Sequence, residues 1–286
     1  MILHLETYSN HGTEQGIIPR FYEQIFDLAK DGGLKKEFEQ KSKIYFENVI
    51  PEFTQFYDLN KEIQDLIYDY KEGVRTGRYF SISERGHSVL NKHNELKIQS
   101  RVKDFFIRGK IAIVYFMKCG IIDDDSDFKL EKFFLCKKDE DFNKRKTEYI
   151  NKHGNKYKPI LDLFQKYKSD INDLSEFNEI RGDIEHNPFK LDDFVLINST
   201  EGISIKEPMI KGVILSSKLQ SYLDNIFDFI EKILVYYYGI NGELKTKGFF
   251  KLYERINFNY SLSEYKYIFE IEGNPQRLPS RKCLYD

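Results

Sequence analysis

The stretch EFNEIRGDIEHNPF (residues 176–189) sets the fold class and raises the functional question together. At about 100° per residue, Leu174, Phe177, Ile180 and Ile184 fall on one arc, which predicts a helix with a single apolar face. Arg181 lies at the edge of that arc. Further round come Glu185, Asn178, Gly182 and then His186, and Pro188 closes the helix two residues later. Gly182 sits in the middle of this polar strip. A glycine there weakens the helix by roughly 1 kcal/mol relative to alanine, and it lets a partner helix or a ligand backbone come close.

Outward from this stretch the apolar spacing stays helical. IIPRFYEQIFDLAKDGG predicts a helix after Pro19 that stops at Gly32 and Gly33, and the same period continues to a second stop at Pro51. YDLNKEIQDLIYDYKEGV predicts a helix ending near Gly73, and the longest helical candidate runs from about Asn91 to Gly120. IIDDDSD is a loop, and one or two amphipathic helices follow around Gly154 and Pro159. After the opening stretch, DDFVLINSTEGISIKEPMI alternates around Ser-Thr-Glu-Gly and predicts a β-hairpin. A strong final helix carries Leu219, Leu223, Ile226, Ile230 and Leu234 in register, and YKYIFEIEG beyond it is strand-like. The expectation is a mainly α chain, a helical bundle with a small hairpin inserted before the last long helix. Residues 1–54 form an N-terminal helical extension packed on the core, 55–240 the bundle, and 241–286 an accessory segment. No linker rich in Gly, Ser or Pro marks these limits, so a single domain fits the same pattern.

Composition narrows the function classes. The 286 residues are 31% charged and 41% hydrophobic with mean hydropathy −0.56, the profile of a globular chain long enough to bury a sizeable core. The net charge of −2 means any nucleic acid meets a local basic patch, not a basic protein. Cys119, Cys136 and Cys283 share no CxxC spacing, which points to a reducing compartment and away from a disulfide framework. The first residues, MILHLETYSN, lack the basic start and long apolar run of a leader, so a cytoplasmic location is expected. Ile111 to Met117 is the most apolar run; bracketed by Lys110 and Lys118, it is too short to span a membrane.

Arginine and histidine on one helix can carry RNA transesterification. The imidazole exchanges a proton near neutrality, with the 2′-hydroxyl or the leaving 5′-oxygen. The guanidinium grips the scissile phosphate and stabilises the charge that builds on it. No metal or other cofactor is required, and one histidine per chain calls for a second from a symmetric dimer. The alternative is ordinary surface electrostatics: Arg181 paired with Glu185 at i+4, or Asp183 beside His186 at i+3.

A mainly helical chain with R-x4-H on its penultimate strong helix, followed by a long apolar final helix, resembles the HEPN superfamily over about residues 55–240. The resemblance implies a bundle of four or five helices and a dimer whose motifs line a shared cleft. It implies a metal-independent endoribonuclease, a bacterial toxin or anti-phage effector held by an antitoxin or inhibitor protein. Arg181 would bind phosphate and His186 would be catalytic, supported by Asn178, Gly182, Asp183 and Glu185. Where the family usually has a polar residue after the arginine, this chain has Gly182, with Asp183 next. A catalytically silent HEPN-like module that binds RNA, a nucleotide or a protein is therefore the second expectation.

Arg75, Arg78, Arg85, His87 and Arg101, interleaved with Tyr79 and Phe80, are the candidate RNA-binding residues, suited to a phosphate backbone and stacked bases. Glu84 and Glu95 dilute that charge, and a solvated loop is the simpler alternative. His87 and His93 have no cysteine nearby, DDDSD (residues 123–127) lacks calcium-loop spacing, and no GxGxxG or Walker pattern occurs.

Overall fold

The computed structural model describes residues 45–82, 84, 88–118, 133, 138–155, 158, 160–162, 164–165, 172–187, 189–200, 202–241, 250–254, 267–271 and 274–276. The expected helix after Pro19, the acidic loop at 121–127, Arg85 and His87 lie outside them. The described part is mainly helical: α1 (Ile50–Arg75), α2 (His93–Lys118), α3 (Asp139–His153), α4 (Asn172–His186) and α5 (Leu215–Asn241). Four small antiparallel sheets accompany them. They pair β1 (Phe80–Ile82) with β2 (Ser88–Leu90), β3 (Val195–Ser199) with β4 (Gly202–Lys206), and β5 (Met209–Ile210) with β6 (Val213–Ile214). The fourth orders β7 (Phe250–Glu254), β8 (Tyr267–Ile271) and β9 (Asn274–Gln276), with Pro275 on its edge strand, where a missing N–H is tolerated. No helix of the described residues is long and apolar enough to cross a membrane.

The chain divides into two compact units that alternate along the sequence. One comprises residues 55–110 and 176–225. In α1, Phe56, Ile63, Ile67, Tyr70 and Val74 recur at helical spacing and are buried. α2 runs antiparallel to α1: Arg101 Nε donates to Glu62 at 2.9 Å, and Tyr70 Oη to Glu95 at 2.6 Å. α4 runs antiparallel to α2, with Gln99 Nε2 donating to the Phe189 carbonyl at one end and Phe106 meeting Phe177 at 5.0 Å toward the other. The start of α5 returns along α1, where Asn60 Nδ2 donates to Gln220 at 2.7 Å and Gln64 Nε2 to the Ser216 carbonyl at 2.9 Å.

The core between these helices is aromatic. Phe56, Phe105, Phe106, Phe177 and Tyr222 are fully buried, with ring centroids 4.5–6.3 Å apart in tilted or edge-on pairs. Gly109 lets the rings close up: a Cβ there would lie 2.6 Å from Phe56 and 2.7 Å from Phe177. Lys218 and Glu176 form a 3.0 Å ion pair with side chains only 9% and 13% exposed, tying α5 to α4 beneath that cluster.

The other unit comprises residues 1–54, 111–175 and 226–286. Phe53 packs against Phe116 and edge-on against Phe227. Phe133 sits against Phe142 and Tyr149, and Phe164 meets Phe229 at 5.0 Å. Gly154, with φ of 75°, terminates α3 by donating its N–H to the Ile150 carbonyl at 2.8 Å.

Two expectations need correction. Pro51 does not stop a helix; it is the second residue of α1, preceded by a π-helical turn (Tyr45–Val49). In the first turn of a helix the missing N–H removes no hydrogen bond. The stretch after Gly73, with no element expected, contains the β1–β2 hairpin, and a further hairpin, β5–β6, turns through Lys211 (φ 50°) and Gly212 (φ 80°). The β3–β4 hairpin around Ser199–Gly202, the final helix with buried Leu219, Leu223, Ile226 and Ile230, and the β8 strand all appear where the pattern puts them.

Candidate functional site

α4 is the element on which the candidate pair stands. Phe177 and Ile180 are buried, Ile184 is half-buried, and Asp183, Glu185 and His186 are exposed, which is the arc expected from the spacing. Arg181 emerges from the edge of this arc, its side chain 17% exposed. Its Nε is buried without a hydrogen-bond partner among the described residues, and its terminal nitrogen pairs with Glu185. Burial lowers the Arg181 pKa from its ordinary value, though the group keeps its charge at neutral pH. The i+4 pairing that an ordinary helix surface would show is thus present, while the Nε–H donor is left without an acceptor oxygen among the described residues.

Asp183 turns the other way. It takes the Asn187 backbone N–H on its carbonyl at 2.7 Å and faces the Asn187 side-chain amide at 3.5 Å, so the expected Asp183–His186 association is not formed. A Cβ placed on Gly182 would meet nothing within 4 Å. The glycine therefore opens a gap beside Arg181, and Asn178 is half-buried on the same strip. Arg181 and His186 are five residues apart, about 140° round the helix and ~7.5 Å along it. A single α4 thus presents the guanidinium and the imidazole to different sides.

Lys110, which the sequence marks only as the boundary of an apolar run, is the residue that spacing missed. It is half-buried on α2, one position after Gly109, where α2 presses against Phe177 of α4. Burial and the nearby Arg181 charge both push its ammonium below the ordinary 10.5, and no carboxylate pairs with it among the described residues. The available signal was the mid-helix glycine beside it, since a glycine tolerated there implies close approach by a neighbouring helix.

The basic segment is differently arranged. Arg75 pairs with Glu72, Arg78 with Asp69 while lying 4.6 Å over the Tyr79 ring, and Arg101 with both Glu62 and Asp104. Lys92 pairs with Asp193 at 3.0 Å. Each of these arginines therefore already has an anion. An open, polar groove of about 680 Å³, lined by Gln64, Ser217, Gln220 and Asp224 among others, contains neither Arg181 nor His186. No group of three or more His, Cys, Asp or Glu among the described residues is arranged to hold a metal ion. Compared with known proteins, the chain matches no protein-family model, no curated protein and no solved structure.

Proposed function

We propose that the chain is a metal-independent endoribonuclease of HEPN type that cleaves RNA as a homodimer, in a toxin or anti-phage role. The observation that carries this is the Arg181 guanidinium: half-buried, with an orphaned Nε, and beside a glycine that leaves its flank open. A charge held at a protein edge with an unused donor suits a phosphate oxygen, because a charge-assisted hydrogen bond replaces the lost hydration.

In the reaction a base takes the proton of the 2′-hydroxyl, the 2′-oxygen attacks phosphorus, and the 5′-oxygen leaves with a proton. The products are a 2′,3′-cyclic phosphate and a 5′-hydroxyl. Arg181 holds the phosphate and stabilises its added charge. His186 exchanges the proton at one of the two oxygens. Because the two side chains leave one helix about 140° apart, Arg181 of one copy and His186 of another would have to converge across a two-fold axis.

Purified protein incubated with RNA in EDTA is expected to yield fragments with cyclic phosphate ends, and His186→Ala to slow cleavage at least ~100-fold. Intact RNA, or unimpaired cutting by His186→Ala, would end this reading.

A specific observation favours the second reading, a silent binding module: Glu185 already occupies one face of Arg181. On that reading RNA binds without being cut, and His186→Ala binds as well as the parent.

A further inference from the structure

We propose that Lys110 and Arg181 together form an anion site that takes one phosphodiester group of single-stranded RNA. The inference deepens the assignment of Arg181 to phosphate and rests on it.

Three features of the α2–α4 crossing support the pairing. Gly109 brings the α2 backbone against the Phe177 ring, and Phe106 packs tilted against the same ring, so α4 is in contact with α2 one residue before Lys110. Arg181 follows Phe177 by one helical turn and stands on the same edge of α4. Two cations are thus held near one crossing; Glu185 pairs with Arg181, and no carboxylate pairs with Lys110 among the described residues. Arg75, Arg78, Lys92, Arg101 and Lys218 each have at least one carboxylate of their own.

Like charges brought together in a partly buried place weaken the free protein, since each raises the cost of ionising the other. Such an arrangement is stable once an anion arrives. A phosphodiester held by the Arg181 guanidinium would also lie in the field of the nearby Lys110 ammonium, which is a flexible point charge with three donors. The open flank at Gly182 leaves space for the sugar–phosphate chain on the α4 side. The site is specific for an anion with unshared oxygens; Lys110 adds no base recognition.

The test uses the full chain and a 2′-O-methyl oligoribonucleotide, which binds but cannot be cut by 2′-hydroxyl attack. Lys110→Met is expected to weaken binding about 5–10-fold near 0.1 M salt and to flatten the log–log salt slope by ~0.7. Lys110→Arg should bind within about 2-fold of the parent, because it keeps the charge. Without oligonucleotide, Lys110→Met should melt about 1–2 °C higher than the parent, since the repulsion is gone. Unchanged affinity and slope in Lys110→Met would overturn the site, whether or not the protein cuts RNA. If Lys110→Met loses affinity as expected while the parent never cleaves, the anion site stands and the nuclease reading falls.

Discussion

Between Arg75 and Arg101 each described arginine has a carboxylate of its own, whereas of Lys110 and Arg181 only Arg181 pairs with one, Glu185, among the described residues. Both sets belong to the same helical unit. The first set is richer in positive residues and looks like the nucleic-acid surface, yet its charge is answered locally. Exposed pairs of that kind contribute little to stability and leave little net field for a ligand. The second set has fewer cations, but they are half-buried and under-neutralised. Anion affinity follows uncompensated charge in a desolvated place, not the number of basic residues.

The largest expected effect comes from removing the ring that holds the second set together. Phe177→Ala should destabilise the protein by about 3–5 kcal/mol in urea unfolding, because its ring touches Phe56, Phe105, Phe106 and Tyr222. Next is Arg181→Ala, expected to lower RNA cleavage at least ~100-fold, while Arg75→Gln and Arg78→Gln lower it less than ~3-fold if their charges are already answered. Comparable losses from all three would erase the contrast between the two sets.

A smaller effect should follow from acid. The Glu207 carboxylate is buried, which alone would raise its pKa, but the Lys71 ammonium and the Ser216 N–H bring it below 4.5. Its folded-state pKa is therefore depressed, so its contribution is present above about pH 4.5 and is lost as pH falls through the lower folded value. Glu207→Gln should flatten the stability curve in that range, read as urea midpoints. The smallest effect is Glu185→Gln. Freed of its carboxylate, Arg181 should bind the 2′-O-methyl oligonucleotide about 3-fold more tightly; weaker binding would make Glu185 a support for the ligand and not a competitor.

The legible features were those written in local periodicity. Leu219, Leu223, Ile226 and Ile230 announce the last helix, and Ser-Thr-Glu-Gly announces its hairpin, because spacing and turn chemistry act within a few residues. β5 and β6, two residues each, are too short to show any period. Pro51 misled because the same residue marks the end of one helix and the first turn of another. For the candidate site, the helical arc carrying Arg181 and His186 was legible. The partners were not: Glu62 answers Arg101 from 39 residues away, and Lys110 stands near Arg181 from another helix, relations that only tertiary packing creates.

Glu207 has one more consequence, for the order in which the chain folds. Its carboxylate accepts the Ser216 backbone N–H while the Leu215 N–H reaches the Pro208 carbonyl, closing a loop of ten residues around the Lys211–Gly212 turn. Starting a helix is the slow part of making one, because several dihedrals must be fixed before the first hydrogen bond forms. Here that start is tied by contacts at most nine residues apart, whose closure entropy is small. The first turn of α5 can thus be set early, before contacts with distant helices such as α1 are made. In pulse-labelled hydrogen exchange, the Ser216 amide is expected to gain protection ahead of the amides of α2.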